Sequence, residues 1–420
     1  MQNNPVKLRM LIALLGTGLQ LLSPMPYGLL QAQTPGCTDP LASNYNPAAT
    51  KNDGSCGYPA ANVDAAASLN LPALLTESSG LLWHKGYLWS HNDDSDTALW
   101  YWLPDVAPML NSKAIAGVRN NDWEDLTRDD RYFYIGDFGN NGSGNRRNLN
   151  ILRIADPAAQ SGTLHADTIW FTYEDQTDFS QQAANSTDYD CEAFVAAGDS
   201  LYLFTKQWLS QKTACYVLPN TPGKHVAKLR AVLDVQGLIT GASMLQGQQL
   251  VVLCGYSKSL QPFIYLLYDF EGLRYFSGNK RKINMNLPFH QVEGITTNNG
   301  LDVYVSNEQL KQVITITPKI HRLDLRAFLS AYLGSTRRLI FEDPFNSFKV
   351  HASGAALYVS RPKGNPEDFW QITDQGGRIL DSGFTNGPVS EIPIQQLKAG
   401  LYYLRIGKGK EAYTCKWIKE

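Results

Sequence analysis

Five times between residues 77 and 293 the chain repeats one theme: an acidic or small residue opens a short apolar run, a turn follows, and a stronger run ends in polar residues. The openings are Glu77–Leu81, Trp123–Thr127, Cys191–Phe194, Thr240–Ser243 and Val292–Thr296, with anchors 47, 68, 49 and 52 residues apart. Second strands are expected at Tyr87–Ser90, Tyr132–Asp137, Leu201–Lys206, Leu250–Tyr256 and Asp302–Asn307. Third and fourth strands are legible at Leu149–Ile154 with Ile169–Tyr173, and at Phe263–Phe270 with Leu273–Phe276. A unit of roughly 40–50 residues with four strands is the period of a β-propeller blade, whose radial closure leaves few strand edges open. No sustained 3.6-residue apolar period competes with it. The direct count is five blades, with room for a sixth in the 68-residue interval, and residues 62–76 are expected to supply a strand that closes the ring.

Composition agrees with an all-β chain: 34 Gly, 21 Tyr and 9 Trp among 420 residues favour strands and turns over a helical bundle. The 37 basic and 39 acidic residues nearly cancel, which argues against nucleic acid as a partner. At the start, Lys7 and Arg9 precede an apolar run from Met10 to Leu22 and a small residue at Ala32. That run is shorter than the roughly 20 residues needed to span a bilayer, so residues 1–32 read as a secretory signal peptide and no transmembrane segment is expected.

All six cysteines lie beyond this leader, in a chain bound for an oxidising compartment. Cys37 and Cys56 bracket an Asn/Pro/Gly-rich segment with too few large apolar residues for a core, so a disulfide between them is expected to staple it. Of the other four, Cys191 and Cys215 are expected to pair because both fall within one repeat. The segment GCTDP…NYNP…DGSC resembles a short module that recurs in surface and secreted proteins of Bacteroidetes. Its Asp39, Asn44, Asn46, Asn52 and Asp53 offer oxygens for Ca²⁺, although turn chemistry uses the same residues.

Residues 339–420 read as short strands, and ITDQGGRIL, IPIQQLKAGLYYLRI and the basic ending with Lys416 and Lys419 resemble the C-terminal sorting domain of the type IX secretion system. Where that family opens with Asn-Pro, this chain has Glu342-Asp343-Pro344-Phe345. The resemblance implies a small β-sandwich recognised by the outer-membrane export machinery, and a secreted or cell-surface location. NDWEDLTRDDRYFYIGDFGNN with LNILRI, and LWSHNDDSD, resemble a family of exported bacterial propellers of unassigned reaction. The domain reading is therefore a signal peptide at 1–32, the cysteine module at 33–59, a propeller at 60–335 and the sorting domain at 336–420.

Antiparallel pairing puts the start of a blade's first strand and the end of its second on one face of the disc. Glu77, Glu124, Glu192 and Glu293 are expected there with His91, Asn92, Asp93, Asp137, Asn140, Lys206, Asn307 and Glu308. Carboxylates at one level of a channel repel one another unless a cation or a lysine intervenes. Calcium suits this oxygen-rich rim, whereas Zn²⁺ would want more His or Cys. The arrangement resembles, in architecture alone, the calcium-dependent gluconolactonase propellers. That resemblance implies a hydrolase of a lactone or phosphoester, with Glu77, Glu124, Asp137, Glu293 and Asn307 as metal ligands, His91 or Glu192 as acid/base and Lys206 stabilising an oxyanion. The leading reading is a binding or scaffold module for a glycan or protein ligand, with room for a Ca²⁺ in its channel; a purely structural alternative has the channel carboxylates hold water and backbone amides. Trp83, Trp89, Trp100, Trp102 and Trp123 suit blade packing better than a sugar platform. The signatures of serine hydrolases, zincins and nucleotide-binding enzymes are absent from the sequence. Deleting residues 339–420 is expected to strand the protein in the periplasm of its host, read by fractionation; secretion at the normal level would contradict the sorting role.

Overall fold

A computed structural model describes residues 33–419 except 95, 246, 312–314, 335–337, 343–348, 354–355, 361–367, 386–388 and 408–412. The leader at 1–32 and residues 343–345 of the sorting-domain opening lie outside the described residues.

Twenty strands form five four-stranded antiparallel blades around one axis; parallel pairs join the outer strands of blades 1, 2 and 3, as Leu164 with Ile115 and Ile169 with Gly223, and Asn62–Val63 adds to the outer strand of blade 4. Blade 1 is Ser78–His84, Tyr87–Asn92, Ala98–Trp102 and Asn111–Ala116; blade 2 is Trp123–Arg128, Tyr132–Asp137, Asn150–Ala155 and Leu164–Tyr173. Blade 3 is Asp190–Ala197, Ser200–Lys206, Lys212–Pro219 and Gly223–Asp234; blade 4 is Leu238–Leu245, Leu250–Tyr256, Pro262–Tyr268 and Asn279–Met285. The fourth strand of blade 4 thus begins after Leu273–Phe276, which forms a turn with a short 3₁₀ segment at Tyr275–Ser277. Blade 5 takes three strands from the far end of the repeat region, Val292–Thr297, Asp302–Asn307 and Lys319–Asp324. Its outermost strand, Ala65–Asn70, comes from before blade 1 and pairs Leu69 with Ile320. Residues 62–76 therefore close the ring, and each inner strand packs beside the next until the fifth meets the first.

The 68-residue interval holds no sixth blade. It is spent on a ten-residue outer strand, Leu164–Tyr173, and on a loop at 174–189 that lies over the loop at 138–149 through Gln182 N–H to Ser143 O (2.9 Å) and Asn185 N–H to Asn141 O (2.8 Å).

Apolar alternation on both faces of each sheet fills the spaces between blades, as with Phe204, Val217, Leu253 and Phe263 between blades 3 and 4. The tryptophans serve this packing: Trp89, Trp102 and Trp123 are fully buried, and Trp89 stacks on Tyr101 with centroids 4.4 Å apart. At the axis the blades are cross-linked by polar groups. Asp125 accepts from Leu126 N–H (2.8 Å) within its own blade, from Phe194 N–H of blade 3 (2.9 Å) and from Ala242 N–H of blade 4 (3.3 Å). A buried amide left without a partner costs about 1–3 kcal/mol, so one carboxylate here settles the polar needs of three inner strands.

The Cys37–Cys56 disulfide forms, and the module it closes docks on blade 4. Asn52 Nδ2 donates to Asp269 Oδ2 and Asn279 Oδ1, both at 2.9 Å, and Tyr58 and Tyr268 hydroxyls both donate to Asp39 Oδ2. The module's oxygens cap turns: Asp39 Oδ1 accepts from Leu41 N–H, Asn44 Oδ1 from Gly57 N–H, Asn46 Oδ1 from Ala48 N–H, Asn52 Oδ1 from Gly54 N–H and Asp53 Oδ1 from Ser55 N–H.

The expected Cys191–Cys215 bond is absent: both thiols are free and buried. The two residues sit on the first and third strands of blade 3, about 9–10 Å apart across an intervening strand, beyond disulfide reach. They also face opposite sides of the sheet, Cys191 toward blade 2 and Cys215 toward blade 4.

One helix, Arg326–Gly334, tucks Leu329 and Leu333 under blades 4 and 5. Beyond it, two four-stranded sheets share a core of Val350, Leu357, Ile372, Ile392, Leu404 and Trp417, making the C-terminal β-sandwich. No described helix is long and apolar enough to cross a membrane.

Candidate functional site

Each of the five inner strands carries an extra, unpaired residue near its start, a β-bulge. The bulged residues are Gly80, Glu124, Glu192, Thr240 and Glu293 in blades 1 to 5. A bulge bends its strand and re-aims the extra side chain, and here it turns three glutamates into the mouth of the channel. In blade 1 the equivalent position is glycine because a Cβ would lie 2.6 Å from His91 Nε2 and 2.7 Å from Leu126 N. The repeat register read from the sequence therefore shifts in blade 1: Glu77 stands three residues before the bulge, in the entry to the strand.

The second strands deliver the rest. Counting from the bulge, Lys206, Tyr256 and Glu308 occupy equivalent positions in blades 3, 4 and 5, and all three face one cavity of about 180 Å³. His91, Asp137 and Asn307 stand one residue earlier, and side chains alternate along a strand, so none of the three lines that cavity.

Of the residues expected at the site, the structure brings together Glu77, Glu124, Glu192, Lys206 and Glu293. Asp137 instead accepts from Arg146 Nη2 (2.6 Å) and Asn121 Nδ2 (2.5 Å), anchoring a turn. Asn307 is spent on Glu308 O (2.8 Å), Thr317 O (3.0 Å) and the His321 ring (3.0 Å). His91 is sealed against the Trp123 ring with Nδ1 3.0 Å from Asn92 O, and burial lowers its pKa to about 4. Asp93 and Glu308, both expected on the rim, line the cavity, as do Asp122, Tyr256, Trp208 and Gln291, which the repeat pattern does not single out.

Seven carboxyl groups, Glu77, Asp93, Asp122, Glu124, Glu192, Glu293 and Glu308, thus surround one ammonium, Lys206. Lys206 Nζ lies 2.6 Å from Glu192 Oε2 and sits 4.8 Å from the Trp208 ring centre and 5.2 Å from that of Tyr256. Burial works against its charge, but Glu192, Tyr256 and Glu293 outweigh it and hold the ammonium above its ordinary range. Below the rim, Asp190 accepts from Trp208 Nε1 (2.8 Å) and from Asn140 N–H (2.6 Å).

The carboxyls are pushed the other way. Burial, then Glu192, Asp122 and Asp190, raise Glu124 well above the carboxylate range, and burial raises Glu192 against the pull of Lys206. Asp122 is raised to about 6, Asp93 to about 7 and Glu308 to about 9, each chiefly by burial. Two triads stand close enough to share an ion: Glu124, Asp190 and Glu192, and Glu77, Asp93 and Glu308, with one oxygen from each member within 4.8 Å of the others. Every ligand on offer is a hard oxygen, which fits Ca²⁺ and not Zn²⁺.

A proton bound more tightly by the folded state makes stability fall as pH rises. Glu308 moves from its ordinary 4.5 to about 9, so its contribution is complete below 4.5 and is lost as pH rises through 9. In chelator, the wild-type melting temperature is expected to fall relative to that of Glu308→Gln between pH 5 and pH 9, by several degrees in differential scanning calorimetry. Parallel profiles would show that Glu308 is not protonated in the folded protein.

No family model matches this chain, and no curated protein matches its sequence. Among solved structures it is similar to the exo-β-1,3-galactanase of Phanerochaete chrysosporium, at 10% identity and a TM-score of 0.39 over 90% of this chain and 98% of that one. It is also similar to PorZ, a surface component of the type IX secretion system of Porphyromonas gingivalis, at 11% identity and a TM-score of 0.28, covering 81% of this chain but 44% of PorZ. A protein of the DUF3244 family from Bacteroides vulgatus, with an immunoglobulin-like β-sandwich, matches 18% of this chain and 85% of its own, at 22% identity and a TM-score of 0.17. Likenesses this distant carry no function across; the strand pairings themselves define the propeller and the sandwich.

Proposed function

We propose that this chain is an exported β-propeller that works as a binding module at the cell surface or outside the cell, with a cation, Ca²⁺, held in the channel pocket as part of the binding site. One observation carries the reading: seven carboxyl groups converge on a cavity that contains a single ammonium. Such a cavity either takes up protons or takes up a cation, and its oxygen-only donor set suits a hard divalent ion. A glycan hydroxyl pair or a protein carbonyl could complete the coordination sphere from outside, which is how the ion would serve binding. The resemblance of residues 339–420 to type IX sorting domains supports delivery by that machinery.

The hydrolytic alternative is weaker on this geometry. Of its two acid/base candidates, His91 is sealed away from the cavity, and Glu192, which does line it, is paired with Lys206, the group assigned to the oxyanion.

The test is metal analysis and calorimetry on the mature chain, residues 33–420, purified with Ca²⁺ and then chelated. Calcium at about 100 times its Kd stabilises by about 2.7 kcal/mol, equivalent to roughly 5 °C in a domain of this size. At least one bound Ca²⁺ per chain and a fall of that size on chelation are expected. Absence of metal with an unchanged melting temperature would overturn the cation reading.

A further inference from the structure

The two triads in the pocket are not equivalent. The inner one, Glu124–Asp190–Glu192, already has its counter-charge and its donors: Lys206 on Glu192, and Trp208 and the Asn140 amide on Asp190. The outer one, Glu77–Asp93–Glu308, has no lysine or arginine beside it among the residues lining the cavity, Lys206 being held inside. Two buried oxygens in this region lack a hydrogen-bond partner among the described residues, Asp93 Oδ1 and Glu293 Oε2. Glu293 is 7% exposed, faces the same cavity, and its charge is felt by both Asp93 and Glu308. It is a buried carboxylate that faces the cavity shared with the outer triad, with Oε1 accepting from Tyr256 and Oε2 unspent.

The spacing suits calcium. Two oxygens each about 2.4 Å from one Ca²⁺ stand at most about 4.8 Å apart, and the three outer carboxylates meet that limit. Their places in the fold matter as much. Glu77 enters blade 1 and Asp93 directly follows its second strand, while Glu293 lies in the inner strand of blade 5 and Glu308 directly follows that blade's second strand. The junction of blades 5 and 1 is where the ring is closed by a strand borrowed from the start of the chain, Ala65–Asn70, only seven residues before Glu77.

We infer that one Ca²⁺ seats on Glu77, Asp93 and Glu308, beside the buried charge of Glu293, and clasps blade 5 to blade 1 at the seam of the ring, while Lys206 serves as a built-in cation for the inner triad. The inference rests on the cation reading above and deepens it by assigning the seat and a structural effect.

Calcium titrations by calorimetry on the mature wild-type chain, on Glu77→Gln/Glu308→Gln and on Glu124→Gln test it. Hydrogen exchange of residues 65–70 with and without Ca²⁺ supplies a second readout. The outer double variant removes like charges from a crowded site, so it should fold; Asp93→Asn alone is the substitute if it does not. Expected are a loss of at least about 100-fold in Ca²⁺ affinity for the outer variants and less than about 5-fold for Glu124→Gln. Calcium should slow exchange at 65–70 in the wild type and leave the outer variant unaffected. If Glu124→Gln loses calcium and the outer variants keep it, the seat is the inner triad and only the assignment falls. Calcium binding without slower exchange at 65–70 would overturn the clasp. No calcium binding by the wild type would overturn both this inference and the cation reading.

Discussion

Closing five sheets into a ring forces five inner strands toward one axis, and whatever side chains those strands carry at one level must share that space. Closure here uses the pairing of Ala65–Asn70 with Lys319–Asp324, which completes blade 5 with chain from before blade 1, and the packing of the inner strands of blades 5 and 1. The crowding of carboxyls follows from it. Glu124, Glu192 and Glu293 are far apart in sequence and on different sheets, yet the bulge common to the inner strands places them around one cavity. None of the three would have an unusual environment on an isolated blade.

Electrostatics then divides the pocket in two. The Lys206–Glu192 pair is buried, and breaking such a pair by removing one partner costs about 3–5 kcal/mol because the other charge is left behind without compensation. The pair fixes the inner half, where one ammonium faces the three carboxyls of Glu124, Asp190 and Glu192. The outer half has carboxyls and no resident cation among its lining residues, so its charge must be balanced by protons or by an ion from solution. In the function proposed here, that difference makes one half structural and the other a place for binding.

Much of this was legible in the sequence, for physical reasons. Strand alternation and turn residues recur at blade spacing, so the propeller, its five blades, its closing segment and the rim could be read directly. So could the Cys37–Cys56 staple, because a segment so poor in apolar residues has little else to hold it. What sequence could not show was register at the axis. A bulge adds one residue to a strand without any marker in composition, and with side chains alternating every residue it decides which neighbour faces the channel. Hence Asp137, Asn307 and His91 were expected in the pocket but stand one residue short of the cavity-facing position, which Lys206, Tyr256 and Glu308 occupy in blades 3, 4 and 5; of these, Tyr256 was not singled out. Glu77 does reach the cavity, though from the strand entry and not from the bulge. The Cys191–Cys215 expectation failed for a related reason: membership of one blade says nothing about which face of the sheet a side chain takes.

A cation seated on the outer carboxyls must displace the protons they hold, and the proposed binding site stands or falls on that exchange. It is tested most directly by counting protons released when Ca²⁺ binds the mature chain, from calorimetric titrations in buffers of different ionisation enthalpy. With Glu308 raised to about 9 and Asp93 to about 7, binding at pH 7 should release about one to two protons per ion, falling toward zero by pH 10. Calcium binding at pH 7 with no proton release, or no binding at any pH, would contradict it.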